Sequence, residues 1–214
     1  MIKSGMTKAV GILGGTFDPI HYGHLRSALE LLQRFDFDHI RLIPSARPPH
    51  RPQPQATAKQ RVMMLHLAIK NNQHFIVDDR ELNREGASYT IDTLRSLKQE
   101  MPDSPLYLII GSDAFSHLST WHQWQQLLGL SHIIVMQRPD HPLALSEEMK
   151  SWYQTHLAMP EDKSLLAGKI WPVTLTQLNI SATAIRLGVS KGRSPVFLMP
   201  DAVASFIEQL KLYQ

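Results

Sequence analysis

Short apolar runs recur along this chain, with room for a helix between one and the next. Ala9 to Leu13, Ile40 to Ile43, Phe75 to Val77, Leu106 to Ile110 and Ile133 to Met136 are strand-sized and nearly unbroken by polar residues. That is the pattern of parallel strands buried on both faces. A sixth strand, Lys169 to Leu175, is interrupted by Pro172 and is therefore expected at a sheet edge. Between these runs the spacing becomes helical. A helix starting near Tyr22 puts Leu25, Ala28, Leu29 and Leu32 on one face. Thr57 can cap a helix to about Asn71 with Val62, Leu65 and Ile69 inward. Tyr89 or Thr90 opens another, with Ile91, Leu94 and Leu97 on its apolar side. Ser146 to His156 can be helical, and Pro200-Asp201 starts a helix carrying Val203, Phe206, Ile207 and Leu210 at i, i+3, i+4, i+7. Pro44 to Pro54 is too rich in proline for a helix, and Glu81 to Ser88 is a polar loop. Strands alternating with helices predict an α/β fold, a Rossmann-like doubly wound parallel sheet with its switch point beside the first strand. One domain over 1–214 is expected, with a small C-terminal helical appendage from about residue 180.

Composition trims the list of partners. The chain has 214 residues, 43% hydrophobic and 19% charged, ordinary for a soluble globular protein. Lys+Arg 22 against Asp+Glu 19 leaves +3, without a basic block, so no nucleic-acid partner is expected. A mild positive balance suits polyphosphate substrates. The absence of cysteine excludes disulfides and thiolate metal sites and fits a reducing cytoplasm. No apolar run approaches membrane-spanning length, and Met1 to Lys8 lacks a leader pattern, so no membrane partner is expected either. Eleven histidines are scattered without an H-E-x-x-H, and no metal site built by the protein alone is expected. Monomer and homo-oligomer are equally compatible with the sequence.

The densest chemistry lies between Gly14 and His24. Gly14 and Gly15 end the first strand and let a backbone approach a ligand without a Cβ in the way. Asp18-Pro19 is turn chemistry. His21 and His24 fall three apart where the next helix begins, so both rings can point the same way, and Gly23 keeps the space between them open. A helix N-terminus collects anions through unpaired N–H groups and its dipole. Two imidazoles added there make a site for a phosphate chain. The glycines at 11, 14 and 15 do not form a dehydrogenase G-x-G-x-x-G. Further on, His50 and Arg51 suit a phosphate-facing loop, and Asp113 after Gly111-Ser112 can hold ribose hydroxyls or cap a helix. Arg138 is a plausible phosphate or carboxylate contact, and Trp121 and Trp124 are core residues or a stacking surface. Ser181 and Thr183 can cap a helix that exposes the planar fork of Arg186.

Gly14 to His24 closely resembles the G-G-T-F-D-P-x-H-x-G-H signature of the nucleotidylyltransferases with an [HT]-x-G-H motif. Ile180-Ser181-Ala182-Thr183-Ala184-Ile185-Arg186 resembles their second signature. Pro48-Pro49-His50-Arg51, Gly111-Ser112-Asp113 and Thr120-Trp121-His122 extend the likeness to members that act in nicotinate metabolism. The resemblance implies transfer of AMP from ATP to nicotinate mononucleotide, with release of pyrophosphate, in NAD synthesis. It assigns Gly14, Gly15, Thr16, Phe17, His21, His24, Gly111, Asp113, Ser181, Thr183 and Arg186 to ATP, with His21, His24 and Arg186 catalytic. Asp18, His50, Arg51, Thr90, Trp121, His122 and Arg138 are assigned to the mononucleotide, and Mg²⁺ is expected to ride mainly on the ATP phosphates. Four positions depart from the family pattern. Ser45 and Ala46 stand where asparagines are common, His122 where Tyr is frequent, and Gly188 where a second Arg often stands. Alternatives are another adenylyl- or cytidylyltransferase, such as one acting on phosphopantetheine, or a nucleotide-binding regulatory module without turnover. Class I aminoacyl-tRNA synthetases share a similar H-x-G-H, but this chain has no Lys-Met-Ser-Lys-Ser segment.

Overall fold

Six parallel strands in the order β3-β2-β1-β4-β5-β6 form the only sheet among the described residues of a computed structural model, which are 8–46, 53–137, 143–176 and 178–214. In chain order the elements are β1 (Val10–Gly15), α1 (Tyr22–Arg34), β2 (His39–Pro44), α2 (Ala58–Ile69), β3 (Phe75–Val77), α3 (Thr90–Glu100) and β4 (Leu106–Gly111). There follow α4 (Ser112–Ser116), α5 (Leu127–Leu130), β5 (His132–Gln137), α6 (Glu147–Thr155), β6 (Ile170–Thr174), α7 (Ala182–Val189) and α8 (Asp201–Gln209). The chain winds one way from β1 through β2 to β3 and the other way from β4 through β5 to β6. The direction reverses between β1 and β4, where ligands bind in such sheets.

Alternate strand residues feed two separate apolar layers, which explains the near-continuous apolar runs. Val10, Ile12, Leu106, Leu108, Ile110, Ile133 and Val135 pack with α3, α5 and Met149 of α6. Leu13, Ile40, Leu42, Tyr107, Ile109 and Ile134 pack on the other face with α1, α2, α7 and α8. The C-terminal helices share this second layer through Ile185, Val189, Val203, Ala204 and Ile207, so the expected appendage is seated on the core of the sheet itself. Pro172 lies in β6 at the sheet edge, as its missing N–H requires.

Three local expectations are corrected. β1 does not stop at Leu13: Gly14 and Gly15 continue its ladder opposite Ile43 and Pro44 as its last two residues, and the chain turns two residues later at Phe17, whose φ is +50°. The inner face of α2 is Arg61, Met64 and Leu65, while Val62 and Ile69 are only half-buried. Arg61 earns that place by donating from Nη1 to the Thr16 carbonyl at 2.8 Å. Leu210 lies past the end of α8 and is exposed.

Candidate active site

β1 delivers the first motif to the top of the sheet. Gly14 is exposed, and a Cβ there would meet nothing within 4 Å, so the backbone is open to a ligand. The turn brings Phe17 under the ring of His24, edge to face with centroids 5.2 Å apart. His21 is the N-cap of α1 and makes no side-chain cap bond. Its ring stacks on that of His24 at 3.8 Å and 26°. No acidic residue lies in the first turn of α1 to oppose an anion. His21 is only 5% exposed, and burial pushes its pKa down to about 4, so it is neutral at pH 7. Its buried Nδ1 has no hydrogen-bond partner within the protein.

The second motif closes over this turn from the far end of the chain. Ser181 caps α7 by accepting from the Ala184 N–H at 3.2 Å. Arg186 donates from Nη1 to the Asp18 carbonyl at 2.7 Å, and its Nη2 lies 3.4 Å from Thr183 Oγ1. The two signatures therefore meet through one guanidinium. Gly111 and Asp113 lie just across the switch point. The N-cap of α4 is Gly111, so Asp113 does not cap that helix. Its exposed carboxylate lies over Gly111, where a Cβ would collide with it. That arrangement removes the capping reading of Asp113.

On the other side of β4, Thr90 opens α3 and Tyr89 precedes it as an N-cap without a side-chain bond. The Tyr89 and His122 rings lie 4.5 Å apart, which brings two stretches of the expected mononucleotide side together. Gln123 Nε2 lies 3.0 Å from His122 Nε2, and Arg95 donates to Gln123 and Gln126. Trp124 packs edge to face on Trp152 at 5.0 Å, and Trp121 and Trp124 are both half-buried against the same apolar layer. His50, Arg51 and Arg138 lie outside the described residues.

Asp18 is the correction within the site. Its carboxylate is 4% exposed and accepts from the backbone N–H of Gln55 at 2.8 Å and of Ala56 at 3.2 Å, and from the Tyr213 hydroxyl at 2.6 Å. A carboxylate so occupied braces the turn and does not face a mononucleotide. Sequence reasoning missed Arg61 and Tyr213. A lone arginine at an inward position of α2 was a signal for the first. Nothing in a polar C-terminal stretch singles out the second.

The family model for cytidylyltransferase-like proteins matches residues 12–188. The chain belongs to that family. A probable nicotinate-nucleotide adenylyltransferase of Pseudomonas aeruginosa (strain UCBPP-PA14) is 46% identical over 211 residues, covering 98% of this chain and 99% of the relative. One from Methylococcus capsulatus is 43% identical over 212 residues, covering 95% and 99%. Among solved structures, Plasmodium falciparum nicotinic acid mononucleotide adenylyltransferase complexed with NaAD shares the fold, with a TM-score of 0.74 at 18% identity over 97% of this chain and 98% of that one. A nicotinate-nucleotide adenylyltransferase described as putative, from Vibrio parahaemolyticus, follows at 0.63 and 16%, over 94% and 99%.

Family membership makes the chain a nucleotidyltransferase with a Rossmann-like sheet, in agreement with both signatures. Among the described residues, no group of three or more His, Asp or Glu could hold a metal ion, and no helix is long and apolar enough to cross a membrane. Asp18, the acid beside the two signatures, already has three donors. The donor set around His21 and Arg186 is cationic or neutral and fits phosphate oxygens.

Proposed function

We propose that this chain transfers AMP from ATP to nicotinate mononucleotide, giving nicotinate adenine dinucleotide and pyrophosphate in the cytoplasm. The observation that carries the reading is the junction of the two signatures: stacked His21 and His24 at the start of α1, with Arg186 tied to the same turn. The names of its full-length relatives favour nicotinate mononucleotide over phosphopantetheine as acceptor.

The nucleophile is a phosphate oxygen of the mononucleotide, largely ionised at pH 7 because its second pKa is about 6. It attacks the α-phosphorus of ATP in line. The bond from that phosphorus to the bridging oxygen breaks, and the electron pair leaves with pyrophosphate. No general base and no covalent intermediate are required. What the protein supplies is alignment and donors for charge that grows on the transferring and leaving groups. Neutral His21 offers a ring N–H without bringing a charge into a buried position. Arg186 offers a multi-donor fork, and Ser181 and Thr183 add hydroxyls. Mg²⁺, bound through the ATP phosphates and water, would neutralise part of their charge. Asp113 would hold the adenosine ribose. Thr90, Trp121 and His122 would receive the pyridine ring, and His50, Arg51 and Arg138 its phosphate or carboxylate.

The test is pyrophosphate release with Mg²⁺, ATP and a panel of acceptors. Nicotinate mononucleotide should turn over well, and nicotinamide mononucleotide and phosphopantetheine poorly. A pocket of N–H donors suits a carboxylate, and such sites discriminate by roughly 10⁴. Good turnover of phosphopantetheine alone would sink the reading.

A further inference from the structure

The second-to-last residue of the chain lies beneath the first motif. α8 ends at Gln209, Lys211 turns the chain back at φ +49°, and the Leu212 N–H donates to the Ile207 carbonyl at 2.9 Å. This return inserts Tyr213 into the apolar layer, where its hydroxyl donates to Asp18 Oδ1 at 2.6 Å. Burial, reinforced by the Asp18 carboxylate, pushes the phenol well above its usual pKa, so it keeps the proton it donates. The same carboxylate accepts from two backbone N–H groups, of Gln55 and Ala56. Arg186 stands close by. Its Nη1 is 3.9 Å from Asp18 Oδ2, yet its hydrogen bond goes to the Asp18 carbonyl at 2.7 Å.

A carboxylate beside a guanidinium has a stronger alternative, a two-pronged charge-assisted pair. Here neutral donors reach both oxygens of the carboxylate, two on Oδ1 and one on Oδ2, and Arg186 remains on the carbonyl. We propose that Tyr213 is a positioning residue: by occupying Asp18, its hydroxyl keeps Arg186 from closing onto the carboxylate and leaves the guanidinium available to the phosphates. This rests on the adenylyl-transfer reading above. Tyr213 reaches no substrate itself and acts through Asp18 and Arg186. Without its hydroxyl, the Asp18 carboxylate loses one of its three neutral donors, its charge pulls harder on the guanidinium 3.9 Å from Oδ2, and Arg186 moves off the phosphates.

Tyr213→Phe removes one oxygen and tests the idea. A donor displaced by about 1 Å can reduce turnover about 10²-fold, so kcat should fall by about ten- to a hundredfold. KM for ATP should change by less than about threefold, because the lost interaction strengthens only in the transition state. The fraction folded is read from the thermal midpoint of each sample. In an Asp18→Asn background the charge that attracts Arg186 is absent, so adding Tyr213→Phe should change kcat by less than about twofold. A merely structural tyrosine would lower the midpoint in both backgrounds and leave kcat per folded molecule unchanged. Should Tyr213→Phe not be recovered folded, Tyr213→Met, which also lacks the donor, is read in the same two backgrounds. Wild-type protein that releases no pyrophosphate overturns the reaction. Active wild type with unchanged kcat in Tyr213→Phe, or an equal fall in both backgrounds, overturns the positioning role alone.

Discussion

Gly23 lies so close to the ring of His21 that a Cβ there would stand 2.9 Å from it and 3.3 Å from the Ile180 carbonyl. The carbonyl cannot yield as a side chain can, so in Gly23→Ala the imidazole must move and the 3.8 Å stack with His24 opens. Turnover should fall about 10²-fold, as expected for a catalytic group displaced by about 1 Å. Steady-state kcat beside the thermal midpoint checks this, and a variant with wild-type kcat would show that the ring position does not matter. His21 also gives a signed pH dependence. Its pKa is near 4 when folded, lowered by burial, against an ordinary histidine value when unfolded. Between the two values the unfolded chain binds the extra proton. The contribution of His21 is therefore fully present above about pH 6.5 and is lost as pH falls to about 4, by a few kcal/mol in all. Thermal midpoints of wild type and His21→Gln should run parallel above about pH 6.5 and converge below it, because glutamine has no proton to take up. Parallel curves down to pH 4 would mean that His21 titrates normally.

Among the elements, the short edge strand β3 depends on charge as well as on its ladder. Asp78 follows it directly and is buried. Burial alone would raise its pKa, but hydrogen bonds from Arg80 and Arg41 hold it below the usual carboxylate value. Arg41 of β2 and Arg80 both continue to Glu100 at the end of α3, at 2.6 and 2.7 Å. The cluster ties two strands to a helix. Asp78→Asn should destabilise the fold by about 3 kcal/mol, since two arginines lose a buried partner. kcat should hold, because the cluster touches neither signature. Urea midpoints and turnover measured together test both halves, and a large fall in kcat would place the cluster in the reaction. Such contacts mark the limit of what the sequence discloses. β1, β2, β4 and β5 were legible because a strand buried on both faces must be apolar along its length. α1, α2, α3 and α8 were legible from their period, and Thr57 from its capping chemistry. The extension of β1 into Gly14 and Gly15 was not, because backbone pairing leaves no mark in side-chain pattern. Nor was the burial of Asp78 or Tyr213, whose partners lie between 2 and 195 residues away. Within the site, His21, His24 and Arg186 were readable as chemistry. The true work of Asp18 depended on a hydroxyl from the other end of the chain.

Over the whole molecule, the proposed phosphate end of the site joins two stretches 168 residues apart, the β1–α1 turn and α7, with Arg186 as the link. α7 and α8 also complete an apolar layer of the sheet, so a ligand held between the signatures ties the C-terminal helices to the strands that precede them. Binding to the folded state alone adds about 2.7 kcal/mol at a ligand concentration a hundred times Kd. For a domain of this size that corresponds to a rise of about 5–11 °C in the midpoint. Mg²⁺-ATP should produce that rise, and Arg186→Ala separates two ways of obtaining it. A guanidinium that binds ground state and transition state alike would, once removed, weaken the shift and kcat/KM together and leave kcat unchanged. One that answers charge developing on the leaving pyrophosphate would leave the shift within about 2 °C of wild type, each measured from its own ligand-free midpoint. In that case kcat should fall by about 10²–10³. The second outcome is expected, because Arg186 already has an anchor on the Asp18 carbonyl and keeps other N–H groups for the phosphates. Arg186→Lys should recover little, since an ammonium cannot hold the carbonyl and bridge phosphate oxygens in one plane. A lost thermal shift with unchanged kcat would make Arg186 a binding residue and move the burden of transition-state stabilisation onto His21 and His24.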